Sequence, residues 1–169
     1  MPEPIRVNAP YPTTENICPD AFSLRIISPA YAGSDGELNA VLQYIYHAFF
    51  FDKKGYGDIA KLLRGIALAE MRHLDILGET ILALGAAPIY SRYPASSFNF
   101  YSSKYVSYSC SLKNMLEDDI LGERRAVTAY KKMLCCLKNE QVKAIISRIL
   151  EDEILHVEKL EAALAEFIR

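Results

Sequence analysis

A pattern that occurs twice limits what this chain can become. Gly36-Glu37, Ala40-Val41 and Tyr44 lead to Glu70-Met71-Arg72-His73. Gly122-Glu123, Ala126-Val127 and Tyr130 lead to Glu153-Ile154-Leu155-His156. Each copy holds a lone Glu, a Tyr seven residues later, and Glu-x-x-His about thirty residues beyond the Glu. The chain has only three histidines, and two of them close the motif. With 13 Glu in 169 residues, chance would place Glu three before two of the three His roughly one time in fifty. The duplication therefore reads as one site assembled from two halves.

Helical geometry makes that assembly possible. Residues i and i+3 of a helix lie about 60° apart, so Glu70 and His73 can reach one ion, as can Glu153 and His156. If Glu37 and Glu70 stand level on antiparallel helices, the turn between them falls at 53–54, where the chain reads Asp52-Lys53-Lys54-Gly55-Tyr56-Gly57. The midpoint of Glu123 and Glu153 is Lys138, beside Asn139. Both midpoints fall on breaker-like stretches. Four carboxylates in a core would be costly unless protonated or paired. Two divalent cations would balance them, with the two imidazoles as neutral ligands. The expected metal ligands are thus Glu37, Glu70, His73, Glu123, Glu153 and His156, around two Fe or Mn ions. Oxygen-rich ligation with one imidazole per ion suits these metals better than Cu.

The rest of the composition is permissive. A chain that is 51% hydrophobic can build one domain with a real core, and a net charge of −2 gives no reason to expect nucleic acid or an anionic membrane as a partner. No apolar run approaches 18 residues, and no signal peptide is visible, so a cytoplasmic location is expected. Cys18, Cys110, Cys135 and Cys136 form no C-x-x-C. They read as free buried thiols, with Cys135-Cys136 in a helix core.

Six of the eight prolines fall within residues 1–33, which argues against a long helix there. Phe22, Leu24, Ile26 and Ile27 suggest instead that this segment docks on a bundle formed by residues 34–169. Ser34-Asp35-Gly36-Glu37 resembles a capping box, but a Glu that caps cannot also bind metal, so Ser34 or Asp35 is expected to cap alone. Helical periodicity places four helices at about 34–52, 58–84, 110–137 and 140–168. The connection 86–109 is too long for a turn and suits a crossover that makes the second and third helices parallel. The expected fold is all-α, a four-helix bundle with one long crossover. The second helix runs about 21 Å beyond Glu70, and residues 20–33 or a second subunit must cover it.

A Glu from each of two helices, with Glu-x-x-His from each of the other two, resembles the ferritin-like di-metal carboxylate superfamily over residues 34–85 and 110–168. Ser34-Asp35-Gly36-Glu37-Leu38, with Glu123-Arg124 and Glu153-x-x-His156, is most similar to the manganese catalases and their spore-coat relatives. Glu37 with Tyr44, and the crossover, also resemble bacterioferritin. Rubrerythrins share the Gly-Glu…Tyr frame, but Ile120 stands where they usually place a further Glu. The resemblance implies that Glu70 and Glu153 bridge two metals and that Glu37, Glu123, His73 and His156 are terminal ligands. It also implies a homo-oligomeric oxidoreductase acting on a small oxidant, hydrogen peroxide foremost. The alternatives are a ferroxidase and iron-storage protein, or a non-catalytic coat protein. Thirteen residues follow His156, which leaves no room for a fifth helix of the kind that helps close ferritin cages.

Around the ligands, Tyr44 and Tyr130 are candidates to hydrogen-bond a ligand carboxylate, or else ordinary core tyrosines. His47 reads as structural, with nothing to pair with it. Asp119, one turn before Glu123, could serve as an outer base to the site but is expected to face solvent, as are Glu79, Glu117 and Asp152.

Overall fold

The computed structural model describes residues 2–169. Helix α1 spans Ala21–Ala32, α2 Glu37–Lys53, α3 Gly57–Ala83, α4 Leu112–Cys136 and α5 Glu140–Phe167, with a 3-10 turn at Ser103–Tyr105. Among the described residues, β structure is limited to one isolated bridge between Ser91 and Phe100. No described helix is long and apolar enough to cross a membrane. Helices α2–α5 form the four-helix bundle, in which α2 packs on α3 and α4 on α5. Each pair is joined by three residues, 54–56 and 137–139, which makes the partners antiparallel.

Short polar side chains set three of the helix starts. Asp20 accepts from the amides of Phe22 and Ser23, Ser111 from that of Asn114, and Asn139 from those of Gln141 and Val142. These bonds satisfy amides that have no partner within the helix. The start of α2 departs from expectation, because neither Ser34 nor Asp35 caps it. Gly36 is the N-cap and makes no side-chain bond. Crowding explains this: a Cβ on Gly36 would lie 2.5 Å from the Ala30 carbonyl oxygen and 2.8 Å from that of Pro29. The last turn of α1 therefore presses on the entry to α2. The Gly36 amide donates to the Gly33 carbonyl at 3.2 Å, which leaves the Glu37 side chain free of a capping box.

The proline-rich segment is also more ordered than its composition suggests. Five of its prolines precede Ala21, and Pro29 sits in the last turn of α1, where it forgoes a single helical hydrogen bond. Leu24, Ile27 and Tyr31 of α1 join Ile76, Leu77 and Ile81 of α3 in one buried cluster with Ile145, Ile146 and Ile149 of α5. α1 is thus the cover for the long C-terminal half of α3. Leu24 and Ile27 are buried, but Phe22 faces solvent.

A second cluster lies at the other end of the bundle, around Tyr44, Phe51, Leu63, Ile66, Leu116 and Leu160. The two apolar clusters leave a polar middle, and that middle holds the site. The crossover from Leu84 to Ser111 is anchored on α2: the Tyr101 hydroxyl donates to Asn39 at 3.1 Å, and the Ser107 amide to Gln43 at 2.9 Å. All four cysteines are exposed, contrary to the expectation of buried thiols. In the last turn of α4 the inward positions go to Met133 and Leu137, so Cys135 and Cys136 face out.

Candidate metal centre

Glu37 on α2, Glu70 and His73 on α3, Glu123 on α4, and Glu153 and His156 on α5 converge at mid-bundle, none more than 4% exposed. Donor atoms of Glu37, Glu70, His73 and Glu153 lie within 4.8 Å of one another, and so do those of Glu70, Glu123, Glu153 and His156. The two sets share Glu70 and Glu153. His73 Nδ1 stands 2.9 Å from Glu70 and 3.1 Å from Glu153. His156 Nδ1 stands 2.8 Å from Glu70 and 3.7 Å from Glu123. Each set could hold one cation, with the shared carboxylates between them.

The donor atoms themselves show that cations fit. Glu70 Oε1, Glu123 Oε2, Glu153 Oε1 and His156 Nδ1 are buried with no hydrogen-bond partner. His156 Nδ1 and Glu70 Oε1 are close enough to bond but are not aligned to do so. Buried polar atoms are nearly always paired, so four orphans in one cluster call for another partner. Carboxylate oxygens with one imidazole per set match the preferences of Mn and Fe.

Without cations, the cluster must hold protons instead. Burial, reinforced by the neighbouring Glu70, pushes Glu37 up to about 8. Burial likewise raises Glu153 well above the carboxylate range, helped by Glu70 and Glu123. For Glu70, burial also opposes the charge, but the imidazoles of His156 and His73 hold it well below its ordinary value. Burial would discharge both imidazoles, yet Glu70 above all keeps them protonated well beyond the usual pH.

Behind the candidate ligands, the two tyrosines hydrogen-bond carboxylates as the sequence suggested, whereas Asp152 and Asp119 depart from the sequence reading. Tyr44 donates to Glu123 and Tyr130 donates to Glu37, so each tyrosine braces the carboxylate of the opposite half. These reciprocal bonds also show that α2 and α4 are antiparallel, and hence that α3 and α4 run parallel. Asp152 is buried, not solvated. It accepts from the Val7 amide at 2.7 Å and the Tyr11 hydroxyl at 2.6 Å, and faces His73 Nε2 at 3.0 Å. One residue before Glu153, it sits a third of a turn round the helix and so backs the centre from outside. Nothing in the sequence marked Tyr11 or Val7 as its partners.

Asp119 is buried too, and His47 is not without a partner. His47 Nδ1 lies 2.9 Å from Asp119, and its Nε2 donates to the Ser107 carbonyl at 2.9 Å. Burial would lower His47, but its bond to Asp119 outweighs that and raises it. Burial raises Asp119 against the bonds from His47 and Gln43. Glu79 and Glu117 are exposed as expected. A cavity of about 170 Å³ between α2 and α4 reaches Glu37, Glu123 and Glu153, with Asp35 and Arg125 in its wall, 3.5 Å apart.

A family model for the ferritin-like domain matches residues 35–169. The chain belongs to the ferritin-like family. Among curated relatives, this ferritin-like chain is 30% identical to a bacterioferritin of Streptomyces coelicolor over 131 residues, 76% of the chain and 72% of the relative. It is 26% identical to a bacterioferritin of Mycobacterium leprae over 132 residues, 76% of the chain and 77% of the relative. Among solved structures, the manganese catalase KatB of Anabaena superposes with a TM-score of 0.78 at 23% identity, covering 98% of this chain and 78% of that one. The bacterioferritin BfrA of Mycobacterium tuberculosis superposes at 0.73 with 24% identity, covering 88% and 87%. At such identities the superpositions establish the fold alone.

Proposed function

We propose that this ferritin-like chain is a di-metal carboxylate oxidoreductase, with two Mn or Fe ions, that acts on hydrogen peroxide. The observation that carries the reading is the pair of overlapping donor sets sharing Glu70 and Glu153. In this reading Glu70 and Glu153 would be shared by the two ions, with Glu37 and His73 holding one and Glu123 and His156 the other. The bound ions would supply two-electron redox chemistry toward peroxide.

The chain's own residues do the rest. Tyr44 and Tyr130 fix the two terminal carboxylates and keep them from swinging away. Glu37, braced by Tyr130, stands at the end of the cavity, where a small oxidant would reach the centre. The apolar clusters above and below keep bulk water out of the centre. At about 170 Å³ the cavity falls below the 300–1,000 Å³ typical of sites for larger organic ligands, which supports a small oxidant. Homo-oligomerisation and a cytoplasmic location go with this reading.

A second reading, iron oxidation and storage, is favoured by the bacterioferritins among the sequence relatives. Elemental analysis of protein purified without added metal, followed by oxygen evolution from peroxide, tests the first. Rapid oxygen release from a small oligomer supports peroxide turnover. Dioxygen-dependent Fe(II) oxidation in a shell-sized assembly, without that release, supports storage.

A further inference from the structure

Residues 3–11 run across α3 and α5 with a bend at Asn8 and Ala9, where the Ala9 amide donates to the Val7 carbonyl at 2.8 Å, and their burial alternates. Ile5, Val7, Ala9 and Tyr11 turn toward the bundle, while Pro4, Arg6, Asn8 and Pro10 face solvent. The segment lies directly behind both site histidines. His156 Nε2 donates to the Ile5 carbonyl at 2.7 Å. His73 Nε2 meets Asp152, and the arm supplies two donors to that carboxylate, the Val7 amide and the Tyr11 hydroxyl. The buried Arg148 ties the layers together: its Nη2 donates to the carbonyls of Val7 at 2.8 Å and Ala9 at 3.1 Å, and its Nη1 lies 2.8 Å from Asp152. Tyr11 places its ring edge-on to that of His73, with centroids 6.0 Å apart, and Arg148 sits 4.4 Å from the Tyr11 centroid.

These contacts settle which nitrogen of each imidazole is free. A backbone carbonyl only accepts, so His156 Nε2 must carry hydrogen. Asp152, fed by Arg148, Tyr11 and Val7, also acts as an acceptor toward His73 Nε2. Both Nδ1 atoms are then the ones turned to the carboxylates, placed to bind a cation once it displaces their proton. The two histidines are not supported equally. His73 leans on a carboxylate of α5 that would stay if the arm left, whereas His156 leans on the arm itself.

We propose that residues 3–11 are a dockable outer wall of the centre, whose seating and cation binding reinforce each other, with Ile5 as the positioning residue for His156 and Asp152 for His73. This rests on the di-metal reading above. Whatever the docked arm adds to cation affinity, the cations must return to arm docking, because coupling between two binding events is reciprocal.

One contact allows the arm to be moved without touching a ligand. The Ile5 amide donates to the Gly65 carbonyl at 3.0 Å, and a Cβ on Gly65 would lie 2.8 Å from both the Glu3 carbonyl oxygen and Ile5 Cγ1. Gly65→Ala suits the interior of α3, since alanine favours helix more than glycine does, but it forces the arm away at the His156 contact. The experiment is calorimetric titration with Mn(II), alongside hydrogen exchange of residues 3–11 in the unaltered chain with and without Mn(II). The expected result is two Mn(II) per wild-type chain, at least tenfold weaker binding of one of them in Gly65→Ala, and slowed exchange of the arm on Mn(II) addition. Two Mn(II) bound equally well by both proteins, with arm exchange unchanged by the metal, would overturn the proposal and leave the di-metal reading standing. No Mn(II) or Fe(II) bound by the wild type would overturn both. The exchange comparison needs no variant, so it decides even if Gly65→Ala folds poorly.

Discussion

The Tyr44 hydroxyl donates to Glu123, across the bundle and out of its own half of the duplicated pattern. Tyr130 returns the bond to Glu37. The two halves are therefore interlocked, and neither could form its carboxylate geometry alone. Tyr44→Phe or Tyr130→Phe leaves a buried carboxylate oxygen short of a donor, a loss of about 1–3 kcal/mol in the metal-free protein. Chemical denaturation of metal-free protein should show it. Metal content should persist and turnover should fall, which elemental analysis and a peroxide assay would read together.

Replacing His73 or His156 with Ala removes a donor outright and should lower the metal content at the affected position, by more than the about 10–100-fold in affinity that losing an outer hydrogen-bond partner costs. His47→Ala should keep both ions, because its partners are Asp119 and the Ser107 carbonyl and it does not reach the donor sets. Equal loss in all three variants would mean that the wrong histidines were assigned.

His47 and Asp119 both have raised folded-state values. A group with a raised value binds protons more tightly when folded, so it stabilises fully below its unfolded value and loses that contribution as pH rises through the folded one. For His47 the window opens near its ordinary 6.5 and extends upward; for Asp119 it opens near 3.8 and extends upward. In the metal-loaded protein, where the centre's own groups no longer titrate, stability should therefore decline with rising pH above 6.5, and His47→Gln should make that decline shallower. Denaturant midpoints between pH 6 and 9 measure it.

Leu24→Ala or Ile27→Ala should destabilise by about 2–4 kcal/mol, since both side chains are buried between α1 and the end of α3. Metal content per folded chain should be unchanged, because the cavity forms away from the centre.

The duplicated motif made the bundle and its polar centre legible, because ligand spacing and helical period are both local properties of the chain. What it hid was set by tertiary contact. Asp152 looked like a surface residue because its partners, Val7, Tyr11 and His73, are 145, 141 and 79 residues away. The pairing of Asp119 with His47, 72 residues apart, was hidden for the same reason. The lone cap expected from Ser34 or Asp35 failed because the carbonyls of Pro29 and Ala30 occupy the space around Gly36, which no local signature reveals. The count of six prolines obscured α1, since five of them precede it and the sixth falls in its last turn.

The central claim is that Glu70 and Glu153 are shared between two cations. Anomalous diffraction from crystals grown with Mn(II) measures this most directly. Two peaks per chain are expected, one beside His73 and one beside His156, with both carboxylates spanning them. A single peak, or none within the six side chains, would contradict it.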